Sequence, residues 1–265
     1  MFKLAITAGH YKYTAGKRCR KSLDPNQTRE WVLNSRIAEK VEALLKKYDG
    51  IEILRTDDRS GEKSIALADR TGAANKWGSD FYLSIHHNAG INGGKGGGIV
   101  AFVYTSPSAE SVEWQKDLYN ALIANTGLKG NRSRPLARKN LHEVRVPTAP
   151  AVLLELGFMD STTDTPIILT EGYANKCAEA ITEVIVKKAG LTKKATEEAF
   201  KPYRVKVSIS DLYIREGAGT NYSKKGFIKK GVYTIVAEAD GKGASKWGKL
   251  KSGAGWISLD YAEKI

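Results

Sequence analysis

The chain has 265 residues, 42 Lys or Arg against 29 Asp or Glu, and a formal charge of +13. Its 42% hydrophobic content suits one substantial core and a smaller second one. No run reaches the roughly 20 apolar residues of a membrane span, and Met1-Phe2-Lys3 leads into a strand pattern without a signal peptide. The positive field favours a polyanionic partner, but no nucleic-acid recognition motif accompanies it, so a specific nucleic acid is not expected.

Residues 3–8 read as a first strand, followed by Gly9-His10. A polar loop over 11–26 leads to helical spacing at Leu33, Ile37, Val41, Leu44 and Leu45, with Asn26 or Thr28 as the expected cap. Strand 51–55, a helix through 64–75 and strand 81–86 follow, the last ending in His86. The glycine-rich stretch 92–98 precedes strand 99–104, then come a helix over 111–126, strand 151–155 ending in Glu155, and a helix over 172–188. This alternation predicts an α/β domain with a mostly parallel sheet flanked by helices, spanning 1–190. Residues 191–201 read as a linker. Short, glycine-punctuated strand patterns over 202–265 predict a small all-β barrel.

Three strands thus end in His10, His86 and Glu155, side chains that bind metals or move protons. A catalytic zinc takes three ligands from histidine and carboxylate and leaves a position for water. His10 and His86 are two candidates. Glu30, at the start of the first helix, and Glu155 are the carboxylates, and spacing alone leaves open which is ligand and which is base. An unpaired charge directly after Val152-Leu153-Leu154 is too costly for core filler, so Glu155 is paired, liganding or catalytic. Cys19 and Cys177 form no CxxC pair, which argues against a cysteine zinc site. Cys19 lies among Lys17, Arg18, Arg20 and Lys21, whose charges are expected to lower its pKa.

The segments Thr7-Ala8-Gly9-His10, Ser84-Ile85-His86-His87-Asn88-Ala89 and Pro150-Ala151-Val152-Leu153-Leu154-Glu155-Leu156-Gly157-Phe158 resemble the zinc-dependent N-acetylmuramoyl-L-alanine amidases of the Amidase_3 type over about residues 1–190. The resemblance implies one Zn2+, ligands His10, Glu30 and His86, and Glu155 as the catalytic glutamate. It implies cleavage of the amide between N-acetylmuramic acid and L-alanine in Gram-positive peptidoglycan. His87 then stands at a variable position as a neighbour, while Asn88 and His142 are substrate-binding candidates. Glu143 is a weaker candidate for a diamino-acid side chain, and Arg132–Lys139 for stem carboxylates. Tyr11-Lys12-Tyr13 departs from the family's glycine-rich stretch after the first histidine.

Leu212–Tyr222, Gly226–Gly231, Trp247–Leu250 and Gly255–Tyr261 resemble the bacterial SH3 signature. That implies a cell-wall-binding module, with Tyr213, Tyr222 and Tyr261 as contact candidates. The combination resembles a phage endolysin, made in the cytoplasm and acting at the wall after a separate permeabilising protein releases it. A zinc peptidase acting within the stem, a non-catalytic wall-binding protein and a nucleic-acid-binding protein are the alternatives.

Overall fold

The computed structural model describes residues 1–194 and 200–265. The chain divides into two compact units, Met1–Lys194 and Ala195–Ile265. In the first, the elements are β1 (Phe2–Ala8), α1 (Glu30–Leu45), β2 (Tyr48–Asp49), β3 (Ile51–Arg55), α2 (Leu67–Trp77), β4 (Phe81–Asn88), β5 (Ile99–Val103), α3 (Ala109–Thr126), β6 (Leu136–Arg138), α4 (His142–Arg145), β7 (Ala151–Phe158), α5 (Thr165–Ile168), α6 (Glu171–Ala189) and β8 (Thr192–Lys193).

Six strands form one sheet in the order β3-β1-β4-β7-β5-β6. All neighbours run parallel except β5 against β7. Parallel neighbours need a long crossover. The helix-free connection 89–98 is too short for one, and β5 returns antiparallel. Thr192–Lys193, expected in the linker, instead pairs with Tyr48–Asp49. Residues 195–199 of that expected linker lie outside the described residues.

Alternate residues of a strand face opposite sides of its sheet, and the two sides differ here. Leu4, Ile6, Phe81, Leu83, Ile85, Val152, Leu154 and Leu156 join residues of α1, α3 and α6 in one large core. Within it Phe81 stacks on Trp114 with ring centroids 4.0 Å apart. On the other side Ala5, Tyr82, Ala151 and Leu153 meet Ala74 of α2 and Val144 of α4 in a small cluster, with Phe102, Tyr104 and Leu141 partly buried against it. That thin cover leaves room for polar side chains at the strand ends. α1 starts without a side-chain cap, its N-cap being Arg29. Asn26 and Thr28 do not cap it, because Asp24 holds the preceding turn by accepting from both their backbone N–H groups.

The second unit contains β9 (Tyr203–Val207), β10 (Tyr213–Arg215), β11 (Lys224–Phe227), β12 (Gly231–Gly241), β13 (Ala244–Leu250), β14 (Trp256–Ser258) and β15 (Ala262–Lys264). They form an antiparallel sheet in the order β11-β10-β14-β13-β12-β9-β15. Val205, Val207, Leu212, Ile228, Ile235, Leu250 and Ile257 fill its core. No helix among the described residues is long and apolar enough to cross a membrane.

Candidate metal centre and active site

The ends of β1, β4 and β7 and the start of α1 converge on the thinly covered side of the sheet. β1 stops at Ala8, and the chain turns through Gly9 into His10, whose φ of 67° is left-handed. Gly9 is required there: a Cβ at this position would lie 2.0 Å from the His86 ring. Buried Arg70 locks the turn by donating to Thr7 Oγ1, to Ala8 O and, at 2.8 Å, to His10 O. Asp57 accepts from Ala8 N at 2.9 Å.

The long loop after His10 folds back on itself. Arg18 bridges to Arg29, and Glu30 N donates to Lys17 O at 3.0 Å. Glu30 is thereby delivered, 1% exposed, to the two histidines. Its Oε1 lies 3.1 Å from His86 Nδ1 and its Oε2 3.4 Å from His10 Nε2. Oε2 is buried and makes no aligned hydrogen bond. One donor atom from each of His10, Glu30 and His86 falls within 4.8 Å of the others. Two imidazoles and a carboxylate form a donor set typical of catalytic zinc, and the orphaned Oε2 facing the rings fits such an ion.

The electrostatics agree. Burial, the largest effect, pushes His10 down to about 4 against the pull of Glu30, keeping it in the neutral ligand form at pH 7. Burial also lowers His86, but bonds to Glu143 and Glu30 outweigh it and raise the ring to about 10. Burial raises Glu30, yet the His86 bond and the charges of His86, His10 and Lys17 hold it at about 2. The negative charge that keeps a proton on His86 is the same charge that favours a divalent cation.

Glu155 pairs across the sheet with His86. Its Oε2 has no hydrogen-bond partner, and burial pushes its pKa up to about 7. It lines a cleft of about 600 Å³ with His10, His86, Asn88, Lys139 and His142. His142 Nε2 sits 3.1 Å from Thr71 Oγ1. Asn88 Oδ1 accepts from Ala89 N. His87, one residue after His86, turns to the opposite side, where its Nδ1 meets Asn34 Oδ1 at 2.8 Å.

Two expectations are corrected. Glu143 is 4% exposed and both its oxygens are engaged by side chains of β4, so it is not free to meet a diamino-acid side chain. Cys19 is buried and free, as is Cys177. Burial, with the charges of Asp24 and Glu30, pushes the Cys19 thiol up to about 12 instead of down. Arg70 and Glu143 are supports that sequence reading missed. The signal for Arg70 is a cation one helical turn before Ala74, on the buried face of α2.

In the second unit Tyr222 and Tyr261 are 47% and 59% exposed. Tyr213 is less free: Phe227 stacks on it at 4.2 Å and Lys224 Nζ lies 3.9 Å from its ring centre. Tyr213 and Tyr261 share a cavity of about 310 Å³ with Arg215 and Trp247.

Residues 4–187 match the family model Amidase_3, N-acetylmuramoyl-L-alanine amidase. A sporulation-specific N-acetylmuramoyl-L-alanine amidase of Bacillus subtilis (strain 168) is 28% identical over 232 residues, covering 86% of this chain and 83% of its own. The endolysin of Bacillus phage SPP1 is 29% identical over 230 residues, covering 82% and 83%. The crystal structure of an N-acetylmuramoyl-L-alanine amidase from Clostridium difficile 630 superposes with a TM-score of 0.64 at 25% identity, over 71% of this chain and 97% of that one. With a zinc donor set at the strand ends and this match over most of its length, the chain belongs to the Amidase_3 family of N-acetylmuramoyl-L-alanine amidases, zinc-dependent hydrolases that cleave the amide between N-acetylmuramic acid and L-alanine in peptidoglycan.

Proposed function

We propose that Glu155 is the proton-transfer residue of this amidase, that His10, Glu30 and His86 are its zinc ligands, and that Asn88 and His142 contact the substrate from the cleft wall. The observation that carries the reading is the position of Glu155: directly across from His86, facing the cleft, with one oxygen unpartnered. Bound zinc supplies a Lewis acid that polarises the amide carbonyl and acidifies water. Glu155 accepts a proton from the attacking water and returns one to the leaving nitrogen of L-alanine. Lys17 and Lys139, which also line the cleft, add positive charge beside the stem's carboxylates. Replacing Glu155 with Gln tests this: zinc content should stay at one per chain while release of L-alanine amino termini falls by about 10²–10⁴-fold. A fully active Gln variant would remove Glu155 from the role.

The second unit is read as an SH3-like cell-wall-binding module occupying 202–265, with Tyr222 and Tyr261 as its freest contact residues and Tyr213 behind Phe227. Its support is the small antiparallel sheet with a core of its own. Tethering a hydrolase to an insoluble polymer raises its effective concentration at the bond. The similarity to a phage endolysin over 230 residues, more than the first unit contains, favours a lytic role aided by a separate permeabilising protein. Deleting the second unit should lower binding to Gram-positive walls more than turnover of soluble muropeptides. Equal losses in both would count against a tethering role.

A further inference from the structure

Glu143 is buried beside the metal centre yet stands outside both the donor set and the proposed proton transfer. It lies on α4, and its carboxylate runs along one face of β4, meeting every second residue. Oε1 accepts from Tyr82 Oη at 3.1 Å, and Oε2 from Ser84 Oγ at 3.2 Å and His86 Nε2 at 3.3 Å. The other nitrogen of the same ring, Nδ1, faces Oε1 of Glu30, a member of the donor set, at 3.1 Å.

We infer that Glu143 is the positioning residue of His86, fixing which ring nitrogen is offered to the metal. The two nitrogens of an imidazole point in divergent directions, so a carboxylate at Nε2 does not share an ion held at Nδ1. It takes the Nε2 hydrogen instead, leaving the Nδ1 lone pair for the metal and locking the plane of the ring. Carboxylate–histidine–metal relays of this kind orient the ligand and raise its basicity. The hydroxyls of Tyr82 and Ser84 add two more hydrogen bonds to the buried carboxylate and offset part of the cost of its charge. The two carboxylates beside His86 are thus divided. Both line the cleft, but Glu155 has an oxygen with no hydrogen-bond partner, whereas both oxygens of Glu143 are engaged by side chains of β4.

The inference rests on the zinc triad, and its test separates the two. Zinc stoichiometry and affinity are measured on the full chain by chelator competition, with the visible spectrum of the cobalt-substituted protein as a second readout. The wild type should bind one zinc. Glu143→Ala should weaken zinc about 10–100-fold and alter the cobalt spectrum, while Glu143→Gln, which keeps an acceptor oxygen and the side-chain shape, should recover part of the loss. Tyr82→Phe removes a Glu143 partner that does not touch the His86 ring, and should leave zinc affinity near wild type. Wild-type affinity and spectrum in both Glu143 variants would overturn the proposal, whatever their activity. So would a Tyr82→Phe loss as large as that of Glu143→Ala, which would indicate general loosening. If Glu143→Ala does not fold, the Gln variant decides by the same two readouts. A wild type that binds no zinc would instead bring down the triad itself.

Discussion

His86 and His87 are neighbours in sequence and opposites in structure. His86 faces the thinly covered side of the sheet, between Glu30 and Glu143, and lines the cleft. His87 faces α1, 2% exposed, against Asn34. Burial drives the His87 ring down to about 3, so it stays neutral as a core histidine, while the carboxylates around His86 reverse that effect. The pleat of one strand separates a packed side that stabilises from an open side that does chemistry. A one-residue change of register would exchange the two roles.

The largest expected contrast is between the histidines themselves. His86→Ala removes one of three zinc donors and should bring zinc content and turnover to background. His87→Ala should retain zinc but lose about 1–3 kcal/mol of stability by leaving Asn34 Oδ1 without its partner, as read from denaturant midpoints. A zinc loss from His87→Ala equal to that of His86→Ala would break the comparison. Along β7, Glu155→Gln should cost turnover with little change in stability. Its neighbour Leu154, fully buried on the packed side, should show the reverse, with Leu154→Ala costing about 2–5 kcal/mol while the folded variant still turns over.

The smallest effect concerns the thiols. Burial raises Cys19 and Cys177 each to about 12, so the thiolate is scarce below that pH. Neither should react with a thiol reagent at pH 8 in the native protein, and both should react once it is unfolded. Rapid native labelling of Cys19 would restore the basic-loop reading of its environment.

Much of this arrangement was legible in the chain. Helical spacing from Leu33 to Leu45 marked α1, and apolar runs ending in His86 and Glu155 marked the two strands whose pairing builds the site. Less legible was whatever depends on contacts distant in sequence. β6 and α4 are three and four residues long, too short for a periodic signal. β2 and β8 exist only because Tyr48–Asp49 meets Thr192–Lys193. The direction of β5 follows from a connection too short to cross over, and the partners of Glu143 from the face of β4 it happens to cover. Cys19 shows the same limit: its flanking cations are local, but the burial that sets its pKa is tertiary.

The most direct test of the account is end-group analysis of purified Gram-positive peptidoglycan treated with the full chain, before and after zinc is removed by chelation and then restored. New N-terminal L-alanine should appear, disappear with the metal and return with it. New amino termini belonging to other stem residues, or L-alanine release that persists without zinc, would contradict it.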